Sequence, residues 1–589
     1  MAKKNAEKSA AVGVGDRKPQ KKARTKVHVD PVTIVIIAVI CVALIFLVGL
    51  PLVKVLSTAF STDGLAVLKK MFTSPANVQI IKNTVVLGIV VSLIGTLLGF
   101  LLAFVQAKVN FRGKRFMHLL ALMPIVSPPF AVATACITLF GRRGIISNQI
   151  FGFDWNIYGL PGLTLVLSLS FFPVAYQNLL GMLRSLDGAM EEAATSLGAN
   201  GWKVFTTVTL PMLVPGFAAS ILLLFVEAIA DLANPLVIGG DYTVLASRAY
   251  IAINGEYNTA AGAAYSLLLL VPALLVFIIQ RYWAGKNSTV TVTGKPAGKP
   301  RMVTAKVATV PLLIFAWGLC AFVLLIYASV IIGAFVNILG VDNTFTLNNF
   351  RYILSGIGNE SMVDTTILAL IATPIAGIFG MLIAWLVVVR LRKGAAVMDF
   401  VGMLGMAVPG TVLGIGYLVT YNTPVKLFGV QVLPALAGGG AIAGGALAIV
   451  LVYIARSTPA GQRSGIASLL QIDKAIDEAS TSLGASGLQT FTKVTLPLIR
   501  PAYLTGLTYA FARSMTTLSP IIFITTPSTK IMTSQILAEV DAGRFGNAFA
   551  FCTVLIVIVM FVIGVINLLI NRRRPGATKP AALAVTHVA

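Results

Sequence analysis

The sequence predicts an all-helical integral membrane protein, with about twelve transmembrane helices in two parallel six-helix repeats. Three observations carry this. Of the 589 residues, 57% are hydrophobic and only 11% charged, with mean hydropathy +0.89; a soluble domain is roughly 25% charged. Apolar runs of at least ~18 residues recur along the chain, each long enough to cross a ~30 Å hydrocarbon layer as a helix. Finally, a run of eight residues beginning at Glu192 returns at Glu478, 286 residues later.

The first thirty residues are polar and rich in lysine and arginine (Lys3, Lys4, Lys8, Arg17, Lys18, Lys21, Lys22, Arg24, Lys26). The span after them is too long for the ~7–15-residue apolar region of a secretory signal, so residues 1–30 read as a basic cytoplasmic tail. Spans 1 to 6 are expected near 32–56, 82–107, 116–140, 160–183, 210–238 and 262–283, within a first domain of residues 31–284. Residues 285–306, rich in Gly, Lys and Pro, read as a flexible cytoplasmic linker. Spans 7 to 12 follow near 307–335, 363–389, 396–420, 435–457, 497–525 and 547–571, within a second domain of residues 307–572, and 573–589 form a C-terminal cytoplasmic tail.

Charge orients these spans. Lys108, Arg112, Lys114 and Arg115 follow span 2, Arg390, Arg392 and Lys393 follow span 8, and Arg572, Arg573 and Arg574 follow span 12. Basic loops stay on the cytoplasmic side, which places both termini there in a multi-pass membrane protein. The net charge of +24 lies in tails and short loops, so it reports orientation and not nucleic-acid binding. Cys41, Cys136, Cys320 and Cys552 sit in apolar runs without C-x-x-C spacing and read as small buried hydrophobes. His28, His118 and His587 form no metal-ligand cluster.

The repeat falls between spans 4 and 5 of each half. Glu192-Ala193-Ala194-Thr195-Ser196-Leu197-Gly198-Ala199 recurs as Glu478-Ala479-Ser480-Thr481-Ser482-Leu483-Gly484-Ala485, and Val208-Thr209-Leu210-Pro211 as Val494-Thr495-Leu496-Pro497. Weaker similarity relates spans 2 and 8. Six is an even number of crossings, so both halves insert the same way up. Asp187 and Asp473 are placed to cap a short helix. Leu186, Met190, Ala193, Ala194 and Leu197 share one face of it, as do Ile472, Ile476, Ala479 and Leu483. Gly198 and Gly484 then end it in the left-handed conformation, and Pro211 and Pro497 open the next span. Such an amphipathic elbow can lie on its own bundle, on lipid, or in a groove of a soluble protein. Two near-identical copies in otherwise diverged halves point to two copies of one partner.

Glu192-Ala193-Ala194, Gly198, Phe205 and Leu210-Pro211 resemble the E-A-A signature of binding-protein-dependent ABC importer permeases at every position, and Glu478-Ala479, Gly484, Phe491 and Leu496-Pro497 do so with Ser480 in third place. The resemblance implies the type I ABC importer permease fold. It implies that Glu192, Ala193, Ala194, Gly198, Glu478, Ala479 and Gly484 couple the chain to two copies of a cytoplasmic ABC ATPase, and that a periplasmic or lipid-anchored binding protein delivers solute. The chain has no G-x-x-x-x-G-K-[ST] phosphate loop. It is therefore expected to be no enzyme and to bind no cofactor, with ATP and magnesium on the partner.

Polar groups within spans mark a pathway by default. Glu227, Asp231 and Asn234 lie in span 5, and the 286-residue spacing carries Glu227 onto Arg513 of span 11, so these two are expected to occupy equivalent places and to pair across the pathway. The alternative is that each is neutralised locally. The run from Glu227 to Gly240, together with Leu139–Gly144 and Ile157–Gly162, looks like segments of fused ferric iron importer permeases. That resemblance implies ferric iron uptake; permeases for 2-aminoethylphosphonate, thiamine, sulfate or polyamines share the architecture. An ion-coupled secondary carrier is the competitor of another class, and it has no need of the paired elbows.

Overall fold

In the computed structural model, residues 31–286 and 302–571 are described, apart from 392, 428 and 486. Both basic tails and most of the linker lie outside the described residues. Ten helices among the described residues are long and apolar enough to cross a membrane: Thr33–Ala59, Pro75–Lys108, Phe130–Ile150, Leu160–Ser185, Gly201–Ala230, Thr259–Tyr282, Lys306–Ala334, Gly356–Arg390, Ile442–Leu469 and Phe545–Leu569. The pair Ala395–Ala407 and Gly410–Tyr421, bent by 96°, has the length and apolarity of an eleventh when its two helices are taken together. Leu496–Thr516 stands where span 11 is expected and is less apolar, because it carries Arg500, Arg513 and several threonines.

Five expected spans differ from the sequence reading, one of them span 11, which is helical only to Thr516 and not to 525. Span 3 divides into Lys114–Val126 and Pro129–Phe140, and span 9 into the bent pair above. In each the break falls where a residue precedes a proline, Ser127 with ψ 151° and Val408 with ψ 130°. The proline ring drives the residue before it out of the helical region. Span 5 is helical only to Ala230, and Asp231 is extended before the short helix Ala233–Ile238. The α-helix of span 10 begins eleven residues later than expected, at Ala446, after a single 3-10 turn at Ile442–Gly445, and runs to Leu469. Gly438, Gly444 and Gly445 all take positive φ, which breaks the apolar run from 435 before a helix can start.

The two halves pack alike. Spans 2 and 4 cross at Gly99, where a Cβ would lie 2.7 Å from the Tyr176 nitrogen; spans 8 and 10 cross at Gly380, where a Cβ would lie 2.6 Å from the Gln462 nitrogen. Small residues let helix backbones approach closely in a membrane protein. Each half sends its first span across to the other. Span 1 lies on span 9, with the hydroxyls of Tyr417 and Tyr421 donating to the carbonyls of Leu47 and Phe46. Span 7 lies on span 3, with Tyr327 Oη 2.6 Å from Ser127 Oγ. Two antiparallel hairpins decorate the second half, β1 (Val336–Ile338) with β2 (Asp342–Phe345) and β3 (Val425–Leu427) with β4 (Val430–Leu433).

Candidate functional site

Each elbow is a short helix, Gly188–Ser196 in the first half and Lys474–Ser482 in the second. Asp187 Oδ1 accepts from the Ala189 N–H and Asp473 Oδ1 from the Ala475 N–H, both at 3.0 Å, so the capping aspartates stand where the sequence places them. Gly198 and Gly484 close the helices at φ +85° and +83°. Among the described residues nothing lies within 4 Å of a Cβ built on either glycine, so the requirement there is conformational and not one of space.

After each elbow comes a five-residue π-turn, Phe205–Thr209 and Phe491–Thr495. Pro211 therefore does not open a span; it lies inside a continuous helix running from Gly201 to Ala230. The wide turn bonds the Leu210 N–H to the Phe205 carbonyl. It thereby shifts the register just where Pro211 brings no N–H of its own. The second half repeats this at Leu496 and Phe491. The motif phenylalanines anchor the elbows to the spans. Phe205 meets Phe104 at 5.5 Å between ring centroids, and Phe491 meets Trp385 at 5.1 Å.

The elbows leave apolar side chains uncovered. Leu197 and Leu483 are each 89% exposed and Trp202 73%, with Met190 and Ile476 also open. Glu192, Ala193, Ala479 and Gly484 are exposed and Ala194 is half-buried. The side chain of Glu478 lies outside the described residues. The glutamate that holds the first elbow is the one before Glu192: buried Glu191 takes Lys108 Nζ at 2.7 Å on both oxygens and accepts from Thr209 Oγ1 at 2.8 Å. Sequence reasoning missed this triad. Its signal was a second adjacent glutamate on the elbow's inner face, facing the basic end of span 2.

Between the halves, Arg513 Nη2 lies 3.8 Å from Glu227 Oε1. Asp231 and Asn234 do not join them. Asp231 Oδ2 accepts from the Asn234 backbone N–H and side-chain Nδ2, both at 3.0 Å, and so caps the helix Ala233–Ile238. Nearer the elbow ends of the spans, two polar pairs hold matching helices: His118 Nδ1 and Tyr176 Oη at 2.7 Å in the first half, Gln462 Nε2 donating to Asp399 Oδ1 at 2.7 Å in the second. Arg281 adds a 2.6 Å ion pair to Asp399.

Residues 95–287 and 376–575 match the family described as "Binding-protein-dependent transport system inner membrane component". The chain is 36% identical over 469 residues to the ferric transport system permease protein FbpB of Actinobacillus pleuropneumoniae; the alignment covers 77% of this chain and 65% of that protein, just under two thirds. It is 33% identical over 480 residues to the putative ferric transport system permease protein FbpB 1 of Haemophilus influenzae, covering 78% of this chain and 72% of that one. Among solved structures, a chain of a bacterial alginate ABC transporter, in complex with its alginate pentasaccharide-bound periplasmic protein, matches 45% of this chain and 96% of its own length, at 16% identity and TM-score 0.38.

Proposed function

Because this chain belongs to the family of inner-membrane components of binding-protein-dependent transport systems, we propose that it is the permease of an ABC importer for ferric iron, driven by ATP hydrolysis on separate subunits. The observation that carries the coupling role is the pair of repeat-related elbows, each ending in a leucine that the bundle leaves 89% exposed. Apolar side chains projected beside charged ones on a short helix suit a groove on a soluble partner. Two such helices suit two copies of one ATPase. Residues 31–284 and 307–572 then form the two permease domains, with both termini in the cytoplasm, and a periplasmic or lipid-anchored binding protein delivers solute from outside. Ferric iron is supported by the relatives' names and by the length of the similarity.

The test co-expresses the full chain with a candidate ABC ATPase and solute-binding protein from the same organism. Leu197→Asp together with Leu483→Asp should abolish co-purification of the ATPase and lower uptake of radioactive ferric iron by about tenfold or more. Undiminished association and uptake would remove the coupling role of the elbows. Glu227 and Arg513 are the pathway residues in this reading: reversing either charge should stop uptake, and reversing both should restore much of it. Uptake that stays lost in the double reversal would count against the pair.

A further inference from the structure

Three arginines share one seam of the second half. Ser457 of span 10 and Ser514 of span 11 stand Oγ to Oγ at 3.3 Å, so Arg456 and Arg513 beside them rise from adjacent helices. A Cβ on Gly506 of span 11 would lie 3.0 Å from Ser464 Oγ, which sets Arg463 along the same seam. Tyr509 of span 11 lies within electrostatic reach of all three guanidinium groups, as Glu227 does of Arg456 and Arg513 and Asp399 of Arg463.

The acidic side chains around this seam are already committed. Glu227 is 3.8 Å from Arg513. Asp231 is bonded to Asn234. Asp399 is held by Arg281 at 2.6 Å and Gln462 at 2.7 Å. Arg456 donates through Nη1 to the Val408 carbonyl at 2.8 Å, and its buried Nε has no partner among the described residues. Among the described residues neither Arg456 nor Arg463 forms an ion pair. The fold does not demand this charge. The 286-residue spacing places Ser170, Gln177, Leu223 and Glu227 where the second half has Arg456, Arg463, Tyr509 and Arg513.

Unpaired guanidinium groups within membrane spans are expensive and face a cavity or a partner. Their planar fork fits carboxylate and phosphate oxygens. We infer that the solute crossing this seam carries an oxyanion, carboxylate or phosphate, which Arg456, Arg463 and Arg513 contact. The inference rests on the permease reading above and sharpens its substrate class. A bare trivalent cation is repelled by this wall. Ferric iron, a hard ion that prefers oxygen ligands, is admitted as a chelate with negative charge to spare; an iron-free phosphate or carboxylate compound meets the same groups. Glu227 holds Arg513 in the absence of solute and yields it to the incoming anion.

The test reconstitutes the full chain with its ATPase and binding protein in liposomes and supplies radioactive ferric iron with carbon-labelled citrate, ferric iron with phosphorus-labelled phosphate, and each anion alone. Iron and anion label entering together supports both the inference and the ferric reading. Anion label entering without iron supports the inference and removes the ferric reading. Iron entering without either label overturns the inference and leaves the ferric reading standing. Arg513→Gln and Arg456→Gln should each lower anion uptake about tenfold or more, with Arg513→Lys keeping part of it. A second readout needs no transport: millimolar citrate or phosphate should raise the melting temperature of the purified full chain by about 3 °C, through binding to the folded state. Arg456→Gln with Arg513→Gln should abolish that rise. No rise in the unsubstituted chain, or a rise the double variant keeps, overturns the inference.

Discussion

Gly99 and Gly380 mark the same helix crossing in the two halves, and the residues met there, Tyr176 and Gln462, are repeat-related. Around this shared frame the side chains part company. Positions in spans 2 and 3 correspond to those in spans 8 and 9 at a spacing of 281 residues, so Lys108 answers to Val389 and His118 to Asp399. His118–Tyr176 and Asp399–Gln462 are thus the same tie made with different chemistry. Glu227 faces Arg513 from the matching place on the other half. Backbone contacts demand small residues and fixed turns, which duplication preserves. Charges inside the bundle are free to diverge, because a fused chain need not keep its halves identical.

The two elbows should show this most strongly. The first is tied to span 2 by a buried ion pair whose side chains are 3% and 6% exposed. Lys108→Met leaves the Glu191 carboxylate buried and alone, at a cost of ~3–5 kcal/mol. Melting of the purified chain and hydrogen exchange in the first elbow should both report it, and Lys108→Met with Glu191→Met should recover most of the loss. Val389→Ala, at the matching place, should cost under about 1 kcal/mol. Equal losses at both positions would break the contrast between the elbows.

The turn before the last span of each half gives a smaller contrast. In the second half Glu539 is buried and takes two bonds from Arg544, at 2.6 and 2.9 Å, one from Asn547 and one from the Tyr352 hydroxyl. Burial alone would raise this carboxyl; the donors outweigh it and hold Glu539 below the ordinary glutamate range. A depressed value means the group stabilises the fold above the unfolded glutamate range of ~4.3, and that contribution fades as pH falls through the lower folded value. Glu539→Gln should therefore cost ~1–3 kcal/mol at neutral pH and less in acid, read from melting temperatures across pH. A penalty unchanged by acid would refute the assigned charge.

Gly198→Ala and Gly484→Ala test where the halves should agree. Both force a Cβ into the left-handed region, at ~1–2 kcal/mol each, and nothing nearby adds to that in either half. Hydrogen exchange should show the two elbows loosening equally. A clear inequality would mean that the partner-facing turns are not equivalent.

The architecture was largely legible because apolarity and the 286-residue spacing are long-range signals that survive divergence. The same spacing carries span 4, Leu160–Ser185, onto residues 446–471, close to the observed Ala446–Leu469; hydropathy alone moved that span toward the glycine-rich run, leaving Arg456 at its very end and Arg463 outside it. The breaks in spans 3 and 9 were written in Ser127-Pro128 and Val408-Pro409 but were hidden inside continuous apolar runs. Glu191 was passed over beside Glu192 because the motif names the exposed residue, and only packing shows which of two adjacent glutamates meets Lys108. The arginine seam was not visible for the same reason. Arg456 and Arg463 lie on one helix and Arg513 on another, and a single sequence does not say which helices touch.

The smallest effect belongs to the first half's counterpart of the Glu539 turn. Arg248 donates to Glu256 at 2.7 and 3.2 Å, with side chains 23% and 45% exposed. The geometry is bidentate, as for Arg544 and Glu539, so geometry alone would assign the two pairs equal worth. Exposure separates them. Water solvates both Arg248 and Glu256 when the pair opens, and salt screens what attraction remains, so exposed pairs contribute ~0–1 kcal/mol. Glu256→Gln should shift the melting temperature little at low salt and not at all in 1 M sodium chloride, while the Glu539→Gln penalty persists in both. If Glu256→Gln costs as much as Glu539→Gln, burial is not what distinguishes the two turns, and the asymmetry between the halves does not extend beyond the elbows and the arginine seam.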